Sequence, residues 1–156
     1  MFYQLDYHSP IGVIEITATN HQITAVLFAS REHVVFEKTE ATPVVLNRCY
    51  EQLDEYFKGE RQQFTVPYLH EGTVFQNHVW QALTTIPFGK TASYKEIAEV
   101  IGNVKAVRAV GMTNSKNQLS IIVPCHRVIG KNGKLTGYAG GLWRKEWLLE
   151  HEKKDQ

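Results

Sequence analysis

At 156 residues the chain is long enough to bury a core without disulfide or metal staples, and its 43% apolar and 21% charged residues are ordinary for one globular domain or two small ones. Its net charge of +1 conceals an asymmetry: residues 1–74 carry five Lys/Arg against ten Asp/Glu, and residues 75–156 carry twelve against six. No apolar run reaches the ~18 residues of a membrane span, the opening "MFYQLDYHSP" is not the text of a signal peptide, and two cysteines make neither a disulfide framework nor a zinc site.

A soluble, cytoplasmic protein in a reducing compartment is therefore expected, with no membrane partner, metal or cofactor. The basic second half is either a face for a polyanion or a solvated imbalance; charge alone does not choose.

In chain order, "IGVIEITAT" (11–19) and "QITAVLFAS" (22–30) alternate apolar and polar residues, and the intervening "NH" predicts a hairpin turn. "VVLNRCYEQLDEYFKG" (44–59) predicts an amphipathic helix, opened by Thr42-Pro43 with proline at the first helical position and stopped by Gly59. Cys49 falls on its apolar stripe with Val45, Leu53 and Tyr56, the place of a core thiol. These elements predict an α/β domain over residues 1–70, with "FTVPYLHEGT" (64–73) as connector.

The second domain, 71–156, reads as mostly helical. Thr73 and Gln76 form a capping box before "VFQNHVWQALTTI" (74–86), whose apolar face holds Phe75, Val79, Leu83 and Ile86. Ser93 and Glu96 form a second one before "YKEIAEVIG" (94–102). "AVRAVGMTNS" (106–115) follows after a short turn, the layout of a helix-turn-helix. An apolar stretch, "LSIIVPCHRV" (119–128), then a glycine-rich loop, "GKNGKLTGYAGG" (130–141), lead into a final helix (142–154) with Leu142, Trp147 and Leu148 among its apolar positions. The fold class is α+β.

Cys125 stands between Pro124 and His126-Arg127. A thiol is a nucleophile only as the thiolate, and neighbouring basic or cationic groups favour that form or remove its proton through a water. Pro124 stiffens the approach, and the glycine-rich loop offers backbone N–H groups to a ligand. The other reading is a buried cysteine at a strand end followed by a surface His-Arg pair.

"VPCHRVIG" and "GYAGGLWRKEWLLEHE", with "FQNHVWQAL", "IPFGKTASYKEIAEVIG" and "AVRAVGMTNSKN" upstream, closely resemble the signature of the O6-alkylguanine-DNA alkyltransferases, the methylated-DNA–protein-cysteine methyltransferases. The resemblance covers about residues 74–153; the first half is similar only in architecture. It implies irreversible, stoichiometric transfer of the alkyl group from O6-alkylguanine, and from O4-alkylthymine, in double-stranded DNA to Cys125. His126 would deprotonate the thiol through a water, Glu152 would orient His126, Asn117 would buttress the active-site turn, and Tyr94 would hydrogen-bond the departing guanine. Arg108 would enter the duplex from the minor groove, with Lys105, Ala106, Gly111 and Arg127 also at the DNA. Val128, Tyr138, Ala139, Gly140 and Ser120 would form the pocket for the flipped base. The protein would act as a monomer.

The chain departs from the family pattern at Gln118, where members often carry proline, and at Ser120, where some do, and it lacks the cysteines of the N-terminal zinc site some members have. It is also too short for the extra N-terminal regulatory module of the adaptive-response members. Three rivals follow from the same residues: a lesion-binding protein without transfer, a helix-turn-helix regulator, and an unrelated thiol hydrolase. The first is weakened because Cys125 is present, and the second because "AVRAVGMTNS" is poor in base-reading Arg, Asn and Gln. The third is weakened because adjacent Cys and His side chains diverge.

Overall fold

In the computed structural model, which describes residues 1–154, the alternating N-terminal text forms an antiparallel sheet in the order β1-β2-β3. The strands are β1 (Tyr3–Ser9), β2 (Gly12–Ala18) and β3 (Ile23–Phe28). Leu5 pairs with Ile16, and Ile16 with Val26, so apolar side chains of all three strands meet in the buried layer. The 20–21 turn joins β2 to β3 as the alternation predicts.

β1 was not expected from the sequence, although Tyr3, Leu5 and Tyr7 alternate with the polar Gln4, Asp6 and His8; the surprise is that Asp6, on the polar side of that alternation, is buried. It is buried as half of an ion pair with Arg31. The Asp6 carboxylate accepts from Arg31 at 2.6 and 2.9 Å and from the Val35 and Phe36 amides at 2.7 and 3.0 Å. A buried carboxylate with that many donors is compensated, and the strand stays whole.

Helix α1 (Val44–Phe57) lays Val45, Leu46, Cys49, Leu53 and Tyr56 into the core. Pro43 is its N-cap rather than its first helical residue, and Gly59 takes φ +78° just after the C-cap. Cys49 is fully buried there, and burial pushes its thiol up to about 12. These elements make one compact unit, Met1–His70; a second begins at Glu71. Of the expected 71–156 domain, positions 155 and 156 lie outside the described residues.

The second unit opens with α2 (Val74–Leu83), whose capping box is complete: Thr73 Oγ1 accepts from the Gln76 amide, and Gln76 Oε1 accepts from the Thr73 amide. α2 stops three residues short of the sequence expectation. The Thr84 and Thr85 hydroxyls bond the Gln81 and Ala82 carbonyls at 2.6 Å each, and the backbone tightens into i→i+3 turns through Ile86.

α3 (Tyr94–Val100) starts at the second capping box, Ser93 with Glu96. Gly102, at φ +75°, turns the chain into α4 (Val107–Ser115). The Trp80 indole N–H donates to the Thr113 carbonyl at 3.1 Å and ties α2 to α4. The apolar run 119–123 is buried but forms no strand. Instead β4 (Ala92–Ser93) and β5 (Val128–Ile129) make a two-residue parallel ladder that brings the start of α3 beside the cysteine segment.

α5 (Leu142–Lys154) closes the unit. Its buried positions are Lys145, Leu148 and Glu152, whereas Leu142 is exposed. Its inward face is largely charged, which an apolar-periodicity reading cannot locate. Among the described residues no helix is long and apolar enough to cross a membrane, and no group of three or more His, Cys, Asp or Glu side chains could hold a metal ion.

Candidate active site

The segment before Cys125 is a chain of very tight turns. The Ile122 amide donates to the Ser120 carbonyl at 2.8 Å across Ile121, whose φ is +71°. That is a γ-turn of the rare positive-φ kind, and it is strained for a β-branched residue. The Cys125 amide donates to the Val123 carbonyl at 2.8 Å across Pro124 (φ −81°, ψ 64°), the common inverse γ-turn. Local strain of this kind costs roughly 1–3 kcal/mol and persists only where the surroundings impose it.

Asn117 supplies that constraint. Its Nδ2 donates to the Val123 carbonyl at 2.9 Å and its Oδ1 accepts from the Leu119 amide at 3.1 Å, so one amide side chain spans the turn. Asn114 Nδ2 adds a bond to the Cys125 carbonyl at 3.3 Å. Residues 125–127 then form a single 3₁₀ turn.

That turn resolves how neighbouring Cys125, His126 and Arg127 act together. Cys125 is 4% exposed and His126 is fully buried. His126 Nε2 lies 2.6 Å from Glu152 Oε2, and Nδ1 has no partner within the protein. The carboxylate therefore fixes one ring nitrogen and leaves the other available as an acceptor.

Arg127 departs from expectation. It does not project to DNA: it is 7% exposed, its Nε and Nη2 donate to Glu152 at 2.7 and 3.1 Å, and its Nη1 donates to the Ile86 carbonyl at 2.8 Å. A guanidinium with three such bonds is held by the fold, and its fork geometry suits the carboxylate. The buried charges are thus one anion shared by two partners.

The electrostatics follow from burial. Desolvation pushes the Cys125 thiol above its ordinary value, against a lowering hydrogen bond from Asn117 and the charge of Lys145. The adjacent His-Arg pair therefore does not make Cys125 a resting thiolate; a base has to take the proton. Desolvation also holds His126 below 6.5, outweighing the pull of Glu152, so the ring is neutral and basic at neutral pH. Glu152 is held far below the usual carboxylate range by His126 and Arg127 despite its burial.

The residues expected to line the pocket lie at Ser120, in β5 and in the glycine-rich loop. Burial raises the Tyr138 phenol well above its ordinary value. Ser120, one of the departures from the family pattern, is buried in the turn before Cys125. Val128 is buried in β5, Ala139 is exposed, and the Gly140 carbonyl accepts from Arg144 Nη1 at 2.9 Å. Tyr94, the first residue of α3, meets the loop through Thr136, its Oη 2.6 Å from Thr136 Oγ1.

Gly111 of α4 lies against the Tyr94 ring, where an added Cβ would stand 3.7 Å away. Lys105 and Arg108 are exposed and Ala106 caps α4, so these three lie at the end of α4 that begins the second helix of the pair. Two residues of this region were missed by sequence reasoning: Thr136, and Lys145, fully buried with Nζ donating to the Thr136 carbonyl at 3.0 Å. The signal for Lys145 was its spacing of seven from Glu152, two helical turns on one face.

The chain matches the family described as 6-O-methylguanine DNA methyltransferase, with its DNA binding domain over residues 74–154 and its ribonuclease-like domain over residues 1–69. It is 46% identical over 154 residues to a methylated-DNA–protein-cysteine methyltransferase of Methanosarcina acetivorans, covering 97% of this chain and 98% of the relative. A constitutive methylated-DNA–protein-cysteine methyltransferase of Bacillus subtilis is 44% identical over 160 residues, with 98% and 96% covered. The crystal structure of Mycobacterium tuberculosis OGT in complex with DNA is similar at a TM-score of 0.85 and 42% identity, covering 99% of this chain and 93% of that one.

Proposed function

The chain belongs to the 6-O-methylguanine DNA methyltransferase family, and on that premise we propose how its own residues carry the reaction. It repairs DNA by direct reversal: an alkyl group leaves O6-alkylguanine and is taken by a cysteine of the protein, once per molecule. Cys125 is that cysteine. The observation that carries the assignment is the buried His126–Glu152 pair at 2.6 Å, with the second imidazole nitrogen left as an acceptor one residue from the thiol.

His126 Nδ1 takes the thiol proton by way of a water molecule, and Glu152 stabilises the imidazolium that forms. The Sγ–carbon bond forms as the carbon–O6 bond breaks, and the electron pair passes to guanine, which later takes up the proton. Asn117 holds the turn. Tyr94 hydrogen-bonds the departing base, where developing charge needs a donor.

The base has to leave the stack to reach a thiol this deeply buried, at a cost of a few kcal/mol that a poorly paired lesion lowers. Arg108 fills the gap it leaves, and Lys105, Ala106 and Gly111 lie along the DNA. Val128, Ser120, Tyr138, Ala139 and Gly140 line the base pocket. We place the contact in the minor groove, where backbone-dominated binding suits scanning of any sequence. The protein works as a monomer in the cytoplasm, and O4-alkylthymine is a second substrate.

Intact-protein and peptide mass spectrometry after incubation with a duplex carrying one O6-methylguanine tests the assignment. The expected result is one methylene mass on the Cys125 peptide, saturating at one per protein and absent in Cys125→Ala. Firm binding with no mass gain would instead make this a lesion-binding protein.

A further inference from the structure

We infer that Thr136 is a positioning residue for the transfer step: its hydroxyl donates to the Tyr94 phenol oxygen and so directs the phenol proton toward the departing base. The inference rests on the alkyl-transfer reading of the site.

Thr136 sits in the glycine-rich stretch between β5 and α5, with glycines at 130, 133, 137, 140 and 141. A stretch so rich in glycine does not hold its own shape. Two bonds fix Thr136 from different sides. Its side-chain oxygen lies 2.6 Å from Tyr94 Oη, and its carbonyl accepts from the buried Lys145 ammonium at 3.0 Å. Its Cγ2 packs over Gly130, where an added Cβ would stand only 3.1 Å from that methyl. A β-branched side chain held at methyl, hydroxyl and carbonyl has one rotamer open to it.

The direction of the 2.6 Å bond decides the chemistry. A hydroxyl has one proton to give and can accept as well. If Tyr94 donates to Thr136, its only proton is spent inside the protein and the departing guanine receives none. If Thr136 donates, the Tyr94 proton is free for the base, and the phenol becomes a better donor because each bond in such a chain polarises the next. The transfer step needs the second arrangement: as carbon–O6 breaks and Sγ–carbon forms, guanine gains an electron pair, and a hydrogen-bond donor must meet that charge. Lys145, by holding the Thr136 carbonyl, keeps the hydroxyl in reach of Tyr94.

The test is the single-turnover rate of methyl transfer from an O6-methylguanine duplex in five proteins: wild type, Thr136→Val, Thr136→Ser, Tyr94→Phe, and Thr136→Val with Tyr94→Phe. Affinity for the same duplex is measured alongside in a Cys125→Ala background. Thr136→Val should slow transfer about five- to tenfold, the worth of one polarising bond, with affinity unchanged. Thr136→Ser should recover most of the rate. In the Tyr94→Phe background Thr136→Val should cost nothing further, because the bond it removes is already gone. A wild-type rate in Thr136→Val overturns the inference, and so does an equal loss in both backgrounds, because Thr136 would then act without Tyr94. Absence of transfer by the wild-type protein is a different failure, that of the alkyl-transfer reading itself.

Discussion

Replacing Glu152 with glutamine keeps the side chain's shape and removes the one anion that two buried partners share. In the native protein Glu152 Oε2 lies 2.6 Å from His126 Nε2 and accepts from Arg127 Nη2 at 3.1 Å, while Oε1 accepts from Arg127 Nε at 2.7 Å. Glu152→Gln leaves the Arg127 guanidinium, 7% exposed, without a counter-ion. Leaving one partner of a buried pair uncompensated costs roughly 3–5 kcal/mol. For a chain of this size that lowers Tm by roughly 6–20 °C in a thermal melt.

The pH dependence has a definite sign. Glu152 is depressed in the folded state, so its contribution is present above the ordinary carboxyl value of 4.5 and is lost as pH falls toward the folded value. His126 is also depressed, so folding is further weakened as pH drops below 6.5, where the unfolded chain gains a proton and the buried ring does not. Only the first of these contributions disappears in Glu152→Gln. Transfer should slow roughly 10²-fold, the lower range for losing an oriented general base. Its acid limb, already below 6.5, should move lower still because the carboxylate that favoured the imidazolium is gone. A variant with wild-type Tm and wild-type transfer rate would refute the shared-anion account.

Two further outcomes follow from other parts of the fold. Arg108→Ala, at an exposed position on α4, should leave Tm unchanged and slow transfer from an O6-methylguanine duplex more than transfer from the same strand without its complement, whose base need not be unpaired; equal slowing with both substrates would count against a gap-filling role. Gly72→Ala should lower stability by about 1–3 kcal/mol in urea titration, because its Cβ would stand 2.7 Å from the Trp80 ring, which is 4% exposed and has little room to move.

Local signals were legible where the physics is local. Both capping boxes stand at Thr73–Gln76 and Ser93–Glu96 as read, because a cap depends on residues three apart. The β2–β3 hairpin follows from alternation on both sides of a short turn. What escaped was set by partners far along the chain. Asp6 is buried in β1 because it finds Arg31 twenty-five residues away, and its own polarity gives no hint of that burial. Arg127 reads as a surface cation until α5 brings Glu152 to it. Thr136 carried no signal of its own, since a threonine in a glycine-rich loop gains meaning only from Tyr94 and Lys145.

The order of the elements bears on how the protein is made. Cys125 lies before α5, and α5 supplies both Glu152 and Lys145. A nascent chain that has emerged as far as the glycine-rich loop already carries Cys125, the proposed nucleophile, but His126 has no carboxylate to orient it and Arg127 has no anion to let it bury. The 3₁₀ turn cannot close over those charges, and the thiol stays an ordinary one. A protein that can react once per lifetime is therefore armed last, when the final helix docks. A chain released before that point has the reactivity of any exposed cysteine but no oriented base beside the thiol, and so lacks the transfer step itself.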